Sequence, residues 1–553
     1  MKILYVNPGK IESGLDFVIK GPPLALLSIA AMVPEHNATL YDFKVESNDD
    51  NEFRNLIAEH DVVAISSMTP QINHAYKVAR LAKKMGKTTI IGGYHPTLAP
   101  DEVTKHEELD YIVRGEGEHT FKELIDFISK APGHLEKEEI KGISYQEKDE
   151  HGNTKIIHNE DRPLEPDLDK FPIPRRDLLN KTEYSYMGAR VMLMETSRGC
   201  PHSCNFCCIH QMWKDDKNKI YYRTKSVKRV MQEIYSIDRD WWDFIFFNDD
   251  NFTINVNRTK KILNTIIKSR INHHIKFSCQ TRVDTLYKHP ELCQLMEDAN
   301  MRMAFLGIES VHQQSLDKMN KKTNIKMIEK SVEMCKEHGI AVFGGMIIGF
   351  PGETVEMVRE NIDFARSLDM EFVQFTPITA FPGTPFFEDM KKQGKICTYN
   401  YKYYNLFFPM MKTDEINFVD LYKLVAEAYS KYYNNADYLG GMMRRAVSKE
   451  FGWFRSIMFR WFKQFAIGGL GMLHQNGITR DIADDLKEKS EGTLTKWRMK
   501  LMSKRKRYKL FKRRLHDLII RMRAQGKQFF QVRSDILRNY LIQQGIENFV
   551  SIK

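Results

Sequence analysis

The sequence lacks any segment that could span a membrane and contains few cysteines for its length. No uncharged apolar run approaches the ~20 residues needed to cross a bilayer. The apolar start, Met1–Pro8, is too short for the hydrophobic core of a signal peptide. Only eight cysteines occur among 553 residues, which excludes the dense disulfide framework of small secreted proteins. We therefore expect a cytoplasmic protein of two or three domains in a reducing compartment.

The net positive charge of the chain comes from one segment. The formal net charge is +11, but Lys496–Arg523 alone contains thirteen Lys or Arg residues against a single acid, Asp517. The remainder of the chain is therefore close to neutral, and the basicity is a local C-terminal feature. No recognisable nucleic-acid-binding module accompanies it, so nucleic acid is not expected as a partner.

Three cysteines form the most informative motif. Cys200, Cys204 and Cys207 have the spacing C-x3-C-x2-C, whereas the other five are scattered: Cys208, Cys279, Cys293, Cys335 and Cys397. A protein-held [4Fe–4S] cluster ordinarily takes four cysteines, so three would leave one iron open to a substrate or cofactor. The alternatives are a zinc knuckle or buried thiols. Zinc requires a fourth Cys or His, but Cys208 is adjacent to Cys207 and His202 lies inside the loop.

With Phe206 directly before the last cysteine, the motif resembles that of the radical S-adenosylmethionine (SAM) superfamily. The resemblance implies that Cys200, Cys204 and Cys207 hold a [4Fe–4S] cluster whose open iron chelates SAM. It also implies an electron donor such as ferredoxin or flavodoxin. Reduction of the cluster would cleave SAM to a 5′-deoxyadenosyl radical that abstracts unactivated hydrogens.

The region around the motif alternates apolar strands with helical stretches. The predicted strands are Val191–Glu195, Phe244–Phe247, Ile275–Gln280, Met303–Leu306, Val342–Ile348 and Phe372–Thr376. Each runs into a polar or glycine-rich loop. This pattern predicts an open (β/α)6 partial barrel, in which functional residues gather at the carboxyl ends of the strands.

The loops after these strands carry polar residues that the resemblance implies as SAM contacts. Asp249 and Asp250 would accept hydrogen bonds from the ammonium or the ribose of SAM, and Glu309 and Ser310 would contact the ribose or the carboxylate. The alternative for the two aspartates is N-capping of a helix predicted over Ile254–Ile267.

Two further loops offer other kinds of contact. Arg282 presents a guanidinium fork for the SAM carboxylate, although Arg282 and Asp284 could instead pair with each other. The backbone between Gly349 and Gly352 could pass close to the adenine, because glycine permits close approach.

The first 125 residues show a similar alternation. The predicted strands are Lys2–Asn7, Asp61–Ser66, Thr88–Gly92 and Tyr111–Arg114, with helices at Leu24–Val33, Ile72–Met85 and His119–Ile128. Strands that alternate with helices of this length predict a parallel sheet of βαβ units. Ligands on such sheets bind beyond the carboxyl ends of the strands.

The loops at those ends resemble a cobalamin-binding domain of Rossmann-like fold that precedes the radical domain in one SAM subfamily. The similarity covers about residues 1–170 and is clearest in the sequences GGYHPT, residues 92–97, and RGEGE, residues 114–118. It implies a cobalamin site with contacts from Ser67, Thr69, Gly93, His95, Gly115 and Glu116.

One expected ligand of cobalt is missing. The signature D-x-H-x-x-G, in which a histidine coordinates cobalt from below, is absent, and Asp42-Phe43-Lys44 occupies the equivalent region. Cobalamin would therefore bind without a protein histidine, or the domain has lost the cofactor. His95 could replace the missing ligand, or it could be a loop histidine that makes a backbone hydrogen bond.

A proline-rich segment separates the two predicted domains. Asp161–Pro174 contains four prolines, which are incompatible with a continuous helix or a central strand. We expect an N-terminal domain over residues 1–160, a linker over 161–184, the partial barrel over 185–405 and a helical extension over 406–553.

The extension contains two segments that suggest a membrane surface. Phe451–Phe465 combines seven aromatic residues with three cations and no acid, as in an interfacial amphipathic helix. The basic Lys496–Arg523 would add ~1 kcal/mol per Lys or Arg at an anionic surface. Together they predict peripheral contact with the inner face of the cell membrane. Alternatively, residues 451–473 form a buried helix that lines the active site, and the basic run is a solvated helix face.

These features predict an enzyme that removes hydrogen from an unactivated carbon of a hydrophobic substrate, and we favour a membrane lipid. Domain order and length resemble hopanoid C-methylases, archaeal tetraether ring synthases and anaerobic Mg-protoporphyrin ester cyclases, so both methylation and ring formation stay open. The alternatives are the porphyrin cyclase reaction, C-methylation of another substrate, and a non-catalytic cobalamin or iron–sulfur sensor.

Overall fold

The computed structural model describes residues 1–9, 19–46, 49–180, 184–186, 189–214, 219–433, 438 and 441–442. The aromatic segment and the basic segment of the C-terminal extension lie outside these residues, so the membrane contact expected there stays a prediction. Within the described ranges, no helix is both long enough and apolar enough to cross a membrane.

The N-terminal domain is built on a seven-stranded sheet with helices on its faces. The strands of this half are β1 (Lys2–Asn7), β2 (Ile19–Lys20), β3 (Asn37–Asp42), β4 (Val62–Ser66), β5 (Thr88–Gly92), β6 (Tyr111–Val113), β7 (Ile143–Lys148), β8 (Thr154–His158) and β9 (Ser185–Tyr186). The helices are α1 (Leu24–Ala30), α2 (Asp50–Ala58), α3 (Ile72–Lys84), α4 (Tyr94–Leu98), α5 (Pro100–Val103) and α6 (Gly117–Ser129). The strand order is β3-β1-β4-β5-β6-β7-β8.

The parallel sheet expected for residues 1–125 is confirmed, and an antiparallel hairpin beyond that range extends it at one edge. Strands β3, β1, β4, β5 and β6 are parallel, but β7 and β8 form an antiparallel hairpin at the edge of the sheet. β8 has no buried position and the second half of β7 is half-buried or exposed, so neither shows the continuous apolar run of a central strand. β3 is half-exposed at the opposite edge, and the sequence pattern missed it for the same reason.

The order of the strands in the N-terminal sheet indicates where a ligand would bind. The chain leaves β1 for β3 on one side and then enters β4 on the other side of β1. The carboxyl ends of β1 and β4 therefore flank the topological switch point of the sheet. Ligands of doubly wound α/β sheets bind in the crevice at such a point.

The second domain contains a six-stranded parallel sheet. Its strands and the short ladder beside it are β10 (Val191–Met194), β11 (Ser197–Arg198), β12 (Arg223–Thr224), β13 (Phe244–Phe247), β14 (Lys276–Arg282), β15 (Met301–Glu309), β16 (Ala341–Ile348) and β17 (Phe372–Pro377). Its helices are α7 (Ile209–Met212), α8 (Val227–Ser236), α9 (Val256–Ser269), α10 (Val283–Lys288), α11 (Glu291–Asp298), α12 (Gln313–Lys318), α13 (Ile325–Glu337), α14 (Val355–Ser367), α15 (Pro385–Lys392) and α16 (Phe418–Tyr433). The order β10-β13-β14-β15-β16-β17 confirms the open (β/α)6 partial barrel.

The barrel strands are apolar on both faces, as a parallel sheet covered by helices requires. Every residue of β16 is buried. Phe247, Phe252 and Phe277 stack in the core with ring centroids 4.7 Å and 5.5 Å apart. Some barrel helices start at residues whose side chains accept a backbone N–H, for example Ser226 before α8 and Asn255 before α9.

The linker is bonded to both sheets. The Tyr184 hydroxyl donates to Asp42 Oδ2 (3.0 Å), at the end of β3. Arg176 Nη2 lies 2.6 Å from Glu233 Oε1 on α8, and Lys225 Nζ lies 2.7 Å from Glu233 Oε2. The Glu233 side chain is fully buried, so one carboxylate is the shared partner of two cations at the junction of linker and barrel.

We expect Glu233→Ala to lower the free energy of unfolding by about 3–5 kcal/mol, because it leaves Arg176 and Lys225 buried without their partner. Urea unfolding of the full chain, followed by circular dichroism, measures the change. The matched control is Asp363→Ala, which breaks an exposed pair with Arg366 and should change little. Equal effects of the two substitutions would contradict the expectation.

Candidate functional site

The cysteine loop begins at a position that only glycine can occupy. Gly199 has φ +88°, and a Cβ there would lie 1.9 Å from the carbonyl oxygen of Tyr221. The ladder of β11 and β12 brings this carbonyl close, so the loop turns sharply just before Cys200. The Gly199 N–H donates to Asp250 Oδ2 (3.0 Å), which fixes the turn to the end of β13.

We expect Gly199→Ala to reduce the iron bound after anaerobic reconstitution several-fold, because the methyl group must displace the start of the loop. The control is Gly86→Ala, which adds the same strain at φ +71° with nothing within 4 Å of the new Cβ. Iron per protein is measured for both variants. Equal iron content in the two would show that the loop does not depend on this turn.

The far side of the loop is held by residues 318–322, which we call the clasp. The Asn205 N–H donates to Met319 O (3.2 Å), and Asn205 Nδ2 donates to Lys318 O (2.7 Å). Asn320 Nδ2 in turn donates to Ser203 O (2.9 Å) and Oγ (2.7 Å). Asn320 has φ +54°, a left-handed conformation that a non-glycine residue adopts at some cost.

The three cysteines of the loop differ in exposure. Cys204 is buried, whereas Cys200 and Cys207 are half-buried. Burial raises the pKa of Cys200 and of Cys207, so the thiols are protonated until a metal displaces the protons. Phe206 packs against an apolar cluster that contains Met319 of the clasp.

The donor set fits a three-thiolate iron–sulfur cluster. No three His, Cys, Asp or Glu side chains within the described ranges converge on one point as ligands of a single ion would. A cubane spreads its thiolates over separate irons, so it does not need such convergence. Cys208, adjacent to Cys207, is the N-cap residue of α7.

Asp249 and Asp250 accept hydrogen bonds from the residues just before the cysteine loop. Asp249 is fully buried and accepts from Thr196 N (2.9 Å), Thr196 Oγ1 (3.0 Å) and Ser197 Oγ (2.6 Å). Burial raises the pKa of Asp249 to about 6 and that of Asp250 to about 7. The capping alternative is wrong, because Asn255 caps α9. Asp249 is committed within the protein, so Asp250 stays the candidate for the SAM ammonium.

The guanidinium group of Arg282 is already paired within the protein. Its Nε donates to Asp284 Oδ1 (2.8 Å), so the pairing alternative is the one found. Nη2 donates to the carbonyl of Lys321 in the clasp, and Nη1 lies 3.8 Å from Cys204 Sγ. Arg282 therefore supports the clasp and places a cation beside a cysteine sulfur.

The two polar residues at the end of β15, Glu309 and Ser310, have different partners. Glu309 has φ +67° and its carboxylate pairs with Lys321 Nζ of the clasp. Ser310 is fully buried, and its hydroxyl lies within hydrogen-bond distance of Glu353 Oε1 (3.2 Å) and Asn361 Oδ1 (3.0 Å). The predicted contact of Ser310 with SAM is therefore corrected, since its hydroxyl faces the scaffold.

The space beside the two glycines of the loop after β16 is filled by other side chains of the protein. A Cβ on Gly349 would lie 2.5 Å from Leu421 of α16, and one on Gly352 would lie 2.3 Å from Lys318 Nζ. Glu353 accepts from the N–H of Gly349 (3.1 Å) and of Phe350 (3.2 Å). Glycine at these two positions lets α16 and the clasp pack closely against the loop. The sequence interpretation had explained the same glycines by close approach of the adenine.

His95 is not available as a cobalt ligand. It is fully buried, with Nε2 3.1 Å from Glu102 Oε2 and Nδ1 3.3 Å from Thr69 Oγ1. Burial acts to raise the pKa of Glu102, but hydrogen bonds from His106 and His95 lower this pKa to about 2. The Tyr401 ring covers the imidazole at 4.6 Å. Both the ligand hypothesis and the backbone hydrogen-bond alternative are wrong for His95.

The loops after β5 and β6 each contain a glycine with a left-handed backbone. Gly93 has φ +106°, and its backbone approaches Ser67 so closely that a Cβ would lie 2.7 Å from Ser67 O. Gly115 also has a left-handed φ (+72°), and its N–H donates to Thr97 Oγ1 (3.0 Å). These tight turns keep side chains off the edge of the sheet, which fits the broad face of a corrin.

Glu116 belongs to a buried ion cluster between the domains, and its predicted contact with cobalamin is corrected. Glu116 Oε1 lies 2.5 Å from Arg198 Nη1, and Glu116 Oε2 lies 2.9 Å from Arg223 Nη1. Arg198 also pairs with Glu118 and Glu195, each at 2.6 Å. We call these five residues the interdomain ion cluster.

Arg198 is the residue that sequence reasoning missed. It lies two positions before Cys200, and its guanidinium reaches the RGEGE loop after β6. It also stacks on Phe171 of the linker at 5.1 Å. The sequence signal was an arginine in the cysteine motif together with two glutamates in a loop that already resembled a ligand site.

Comparisons with known proteins agree with this architecture. The family model of the radical SAM superfamily matches residues 194–365, and that of the B12 binding domain matches residues 15–125. The chain is 33% identical over 443 residues to an uncharacterised methyltransferase of Pyrococcus horikoshii, covering 78% of this chain and 92% of that protein. It is 25% identical over 450 residues to the anaerobic magnesium-protoporphyrin IX monomethyl ester cyclase of Rubrivivax gelatinosus, covering 79% and 78%.

A solved structure shows the same fold. The radical SAM methyltransferase TsrM from Kitasatospora setae, with cobalamin and a [4Fe–4S] cluster bound, superposes with a TM-score of 0.61. The alignment covers 84% of this chain and 99% of that chain at 17% identity.

Proposed function

Since the chain belongs to the radical SAM superfamily and also carries a B12-binding domain, we propose that it methylates an unactivated carbon of a hydrophobic substrate. Its cofactors are a [4Fe–4S] cluster, SAM and cobalamin. When bound, the cluster and SAM would supply hydrogen abstraction, and cobalamin would carry the methyl group. A membrane lipid is the first candidate substrate, and ferredoxin or flavodoxin the candidate electron donor.

The contact between the cysteine loop and the B12-binding domain carries this proposal. The interdomain ion cluster joins Arg198, beside the cysteines, to Glu116 and Glu118 beyond β6. Tyr94, the first residue of α4, is half-buried; loss of hydration raises its pKa, and the charges of Asp250 and Cys208 add to the effect. A radical source and a methyl carrier that serve one substrate need adjacent sites, and the two loops adjoin each other.

The chain's own residues then have separate tasks. Cys200, Cys204 and Cys207 would hold the cluster, with Asp250 and Glu309 at its side for the polar groups of SAM. Arg282 would place positive charge near Cys204, which favours the anionic sulfur ligands of a metal. The buried surroundings of these groups strengthen each electrostatic contact, since water is excluded.

A lipid substrate is supported by the sequence of the C-terminal extension. The aromatic Phe451–Phe465 and the basic Lys496–Arg523 are two independent membrane signals, and stable attachment generally takes two. We expect removal of residues from Lys496 onward to weaken binding to anionic liposomes at physiological salt. Unchanged binding would remove this support for a lipid.

Mass spectrometry of lipids from a deletion strain and its parent tests the proposal. Methylation predicts that the parent contains species one methylene heavier than those in the mutant. Ring formation instead predicts parent species two hydrogens lighter. Identical lipids in the two strains would contradict a lipid substrate.

A second candidate is the porphyrin cyclase reaction, favoured by the similarity to the Rubrivivax enzyme over 79% of this chain. Reduced, reconstituted protein supplied with SAM and Mg-protoporphyrin monomethyl ester would then form the fifth ring. A non-catalytic sensor would produce no 5′-deoxyadenosine under the same conditions.

A further inference from the structure

The cysteine loop reaches solvent on the side that contacts the clasp. Alternate residues of the loop are exposed there: Pro201, Ser203 and Asn205. Cys204, between the last two, is buried. A cysteine that would bind the cluster therefore lies one residue from the surface on either side.

Lysines without ion-pair partners border this part of the surface. Residues 317–326, which run from the last turn of α12 through the clasp into α13, contain four lysines and one acid, Asp317. Lys321 is buried and paired with Glu309. The other three lysines are exposed, and none of them has an ion-pair partner within the described ranges: Lys318, Lys322 and Lys326.

Backbone hydrogen bonds join this segment to the cysteine loop. Asn205 Nδ2 donates to the carbonyl oxygen of Lys318 (2.7 Å). The carbonyl oxygen of Lys321, next to Lys322, accepts from Arg282 Nη2, and Arg282 Nη1 lies 3.8 Å from Cys204 Sγ. The lysines and the loop therefore belong to one connected surface.

Lys326 occupies a position that disfavours a cation. It is the second residue of α13, and the first turn of this helix contains no acid. The N-terminus of a helix carries a partial positive charge, which favours acidic residues and disfavours basic ones. Lys322 lies two residues before Asn324, the N-cap residue of α13. Both lysines therefore add to the positive charge of the helix start, which makes the surface beside the cysteine loop strongly electropositive.

We propose that Lys318, Lys322 and Lys326 form the docking surface for an acidic ferredoxin that delivers one electron to the cluster. This inference rests on the proposed function, in which SAM is cleaved only after the cluster is reduced. Reduced ferredoxin loses one electron, the [4Fe–4S]²⁺ cluster gains it and becomes [4Fe–4S]⁺, and no covalent bond forms or breaks. Transient redox complexes bury little surface, so a small positive patch can steer an acidic partner onto the loop.

The double variant Lys322→Glu/Lys326→Glu of the reconstituted full chain tests the surface. Acidic residues suit the start of a helix, so the variant should fold as the wild type does. With reduced ferredoxin, we expect kcat/KM for ferredoxin in 5′-deoxyadenosine formation to fall about tenfold, because electrostatic steering is lost. The Kd of ferredoxin, measured by calorimetry, should rise with it, and high salt should reduce both differences. With dithionite, which needs no docking surface, the variant and the wild type should form 5′-deoxyadenosine at equal rates.

Lys228→Glu is the matched control. Lys228 is the exposed second residue of α8, a helix that also has no acid in its first turn. Its neighbours Ser226 and Arg229 are bonded to Asp169 and to the carbonyl oxygen of Phe171, so α8 starts beside the linker. This variant should match the wild type with either reductant.

The outcomes separate the docking surface from the proposed function. Unchanged kcat/KM and Kd for ferredoxin in the double variant, or an equal loss in Lys228→Glu, would overturn the surface. A defect with flavodoxin but not with ferredoxin would show that the partner is wrong. Weaker binding to anionic liposomes, with ferredoxin-driven activity intact, would assign these lysines to a membrane instead. Wild-type protein that forms no 5′-deoxyadenosine even with dithionite would overturn the proposed function itself.

Discussion

Cys204→Ala is expected to abolish 5′-deoxyadenosine formation and to remove most of the iron bound after anaerobic reconstitution. Cys204 is the buried member of the three cysteines, and Arg282 Nη1 lies 3.8 Å from its sulfur. Two thiolates cannot hold a cubane that normally takes at least three. Iron, sulfide and deoxyadenosine are measured on the same preparation with SAM and dithionite.

The matched control is Cys208→Ala, which removes the neighbouring cysteine that the account leaves without a role in the cluster. This variant should retain its iron and its deoxyadenosine formation within about a factor of two, since α7 starts there with no side-chain cap. Loss of the cluster in Cys208→Ala, with retention in Cys204→Ala, would show that Cys208 and not Cys204 is a cluster ligand.

Arg198→Met is expected to lower the free energy of unfolding by about 3–5 kcal/mol, because it leaves a buried cluster of carboxylates without its central cation. The side chains of Arg198, Glu116 and Glu118 are only 10%, 4% and 6% exposed. The substitution should also reduce cluster loading, since Arg198 joins the cysteine loop to the other domain. Urea unfolding and iron content measure the two effects.

A second substitution separates the ion cluster from simple loss of packing. Arg198→Met combined with Glu118→Gln removes one of the carboxylates left unpaired, so the double variant should recover part of the stability lost in the single variant. The interaction energy follows from the double-mutant cycle. Additive losses would show that Arg198 contributes through packing on Phe171 alone.

The strands and the cluster motif could be predicted from the sequence because their signals are local. The bounds of β1, β5 and β13 are those predicted, because each contains a short run of apolar or β-branched residues that ends at a polar or glycine residue. The spacing of Cys200, Cys204 and Cys207 lies within eight residues. The edge hairpin β7–β8 could not be predicted in this way, since half-exposed strands carry a weaker pattern.

The polar residues of the loops were harder to assign, because their partners lie far along the chain. Glu116 is paired with Arg198 and Arg223, and Ser310 is bonded to Glu353 and Asn361. At the carboxyl ends of a sheet, loops bond to each other as readily as to a ligand. A polar residue there therefore indicates the edge where ligands bind but does not identify its own partner.

The central claim is that an iron–sulfur cluster in this chain keeps one iron free for SAM. Electron paramagnetic resonance of the reduced, reconstituted protein, recorded before and after SAM is added, tests it most directly. We expect a [4Fe–4S]⁺ signal whose g values shift on addition of SAM. Protein that contains zinc in place of iron, or a cluster signal that SAM leaves unchanged, would contradict the account.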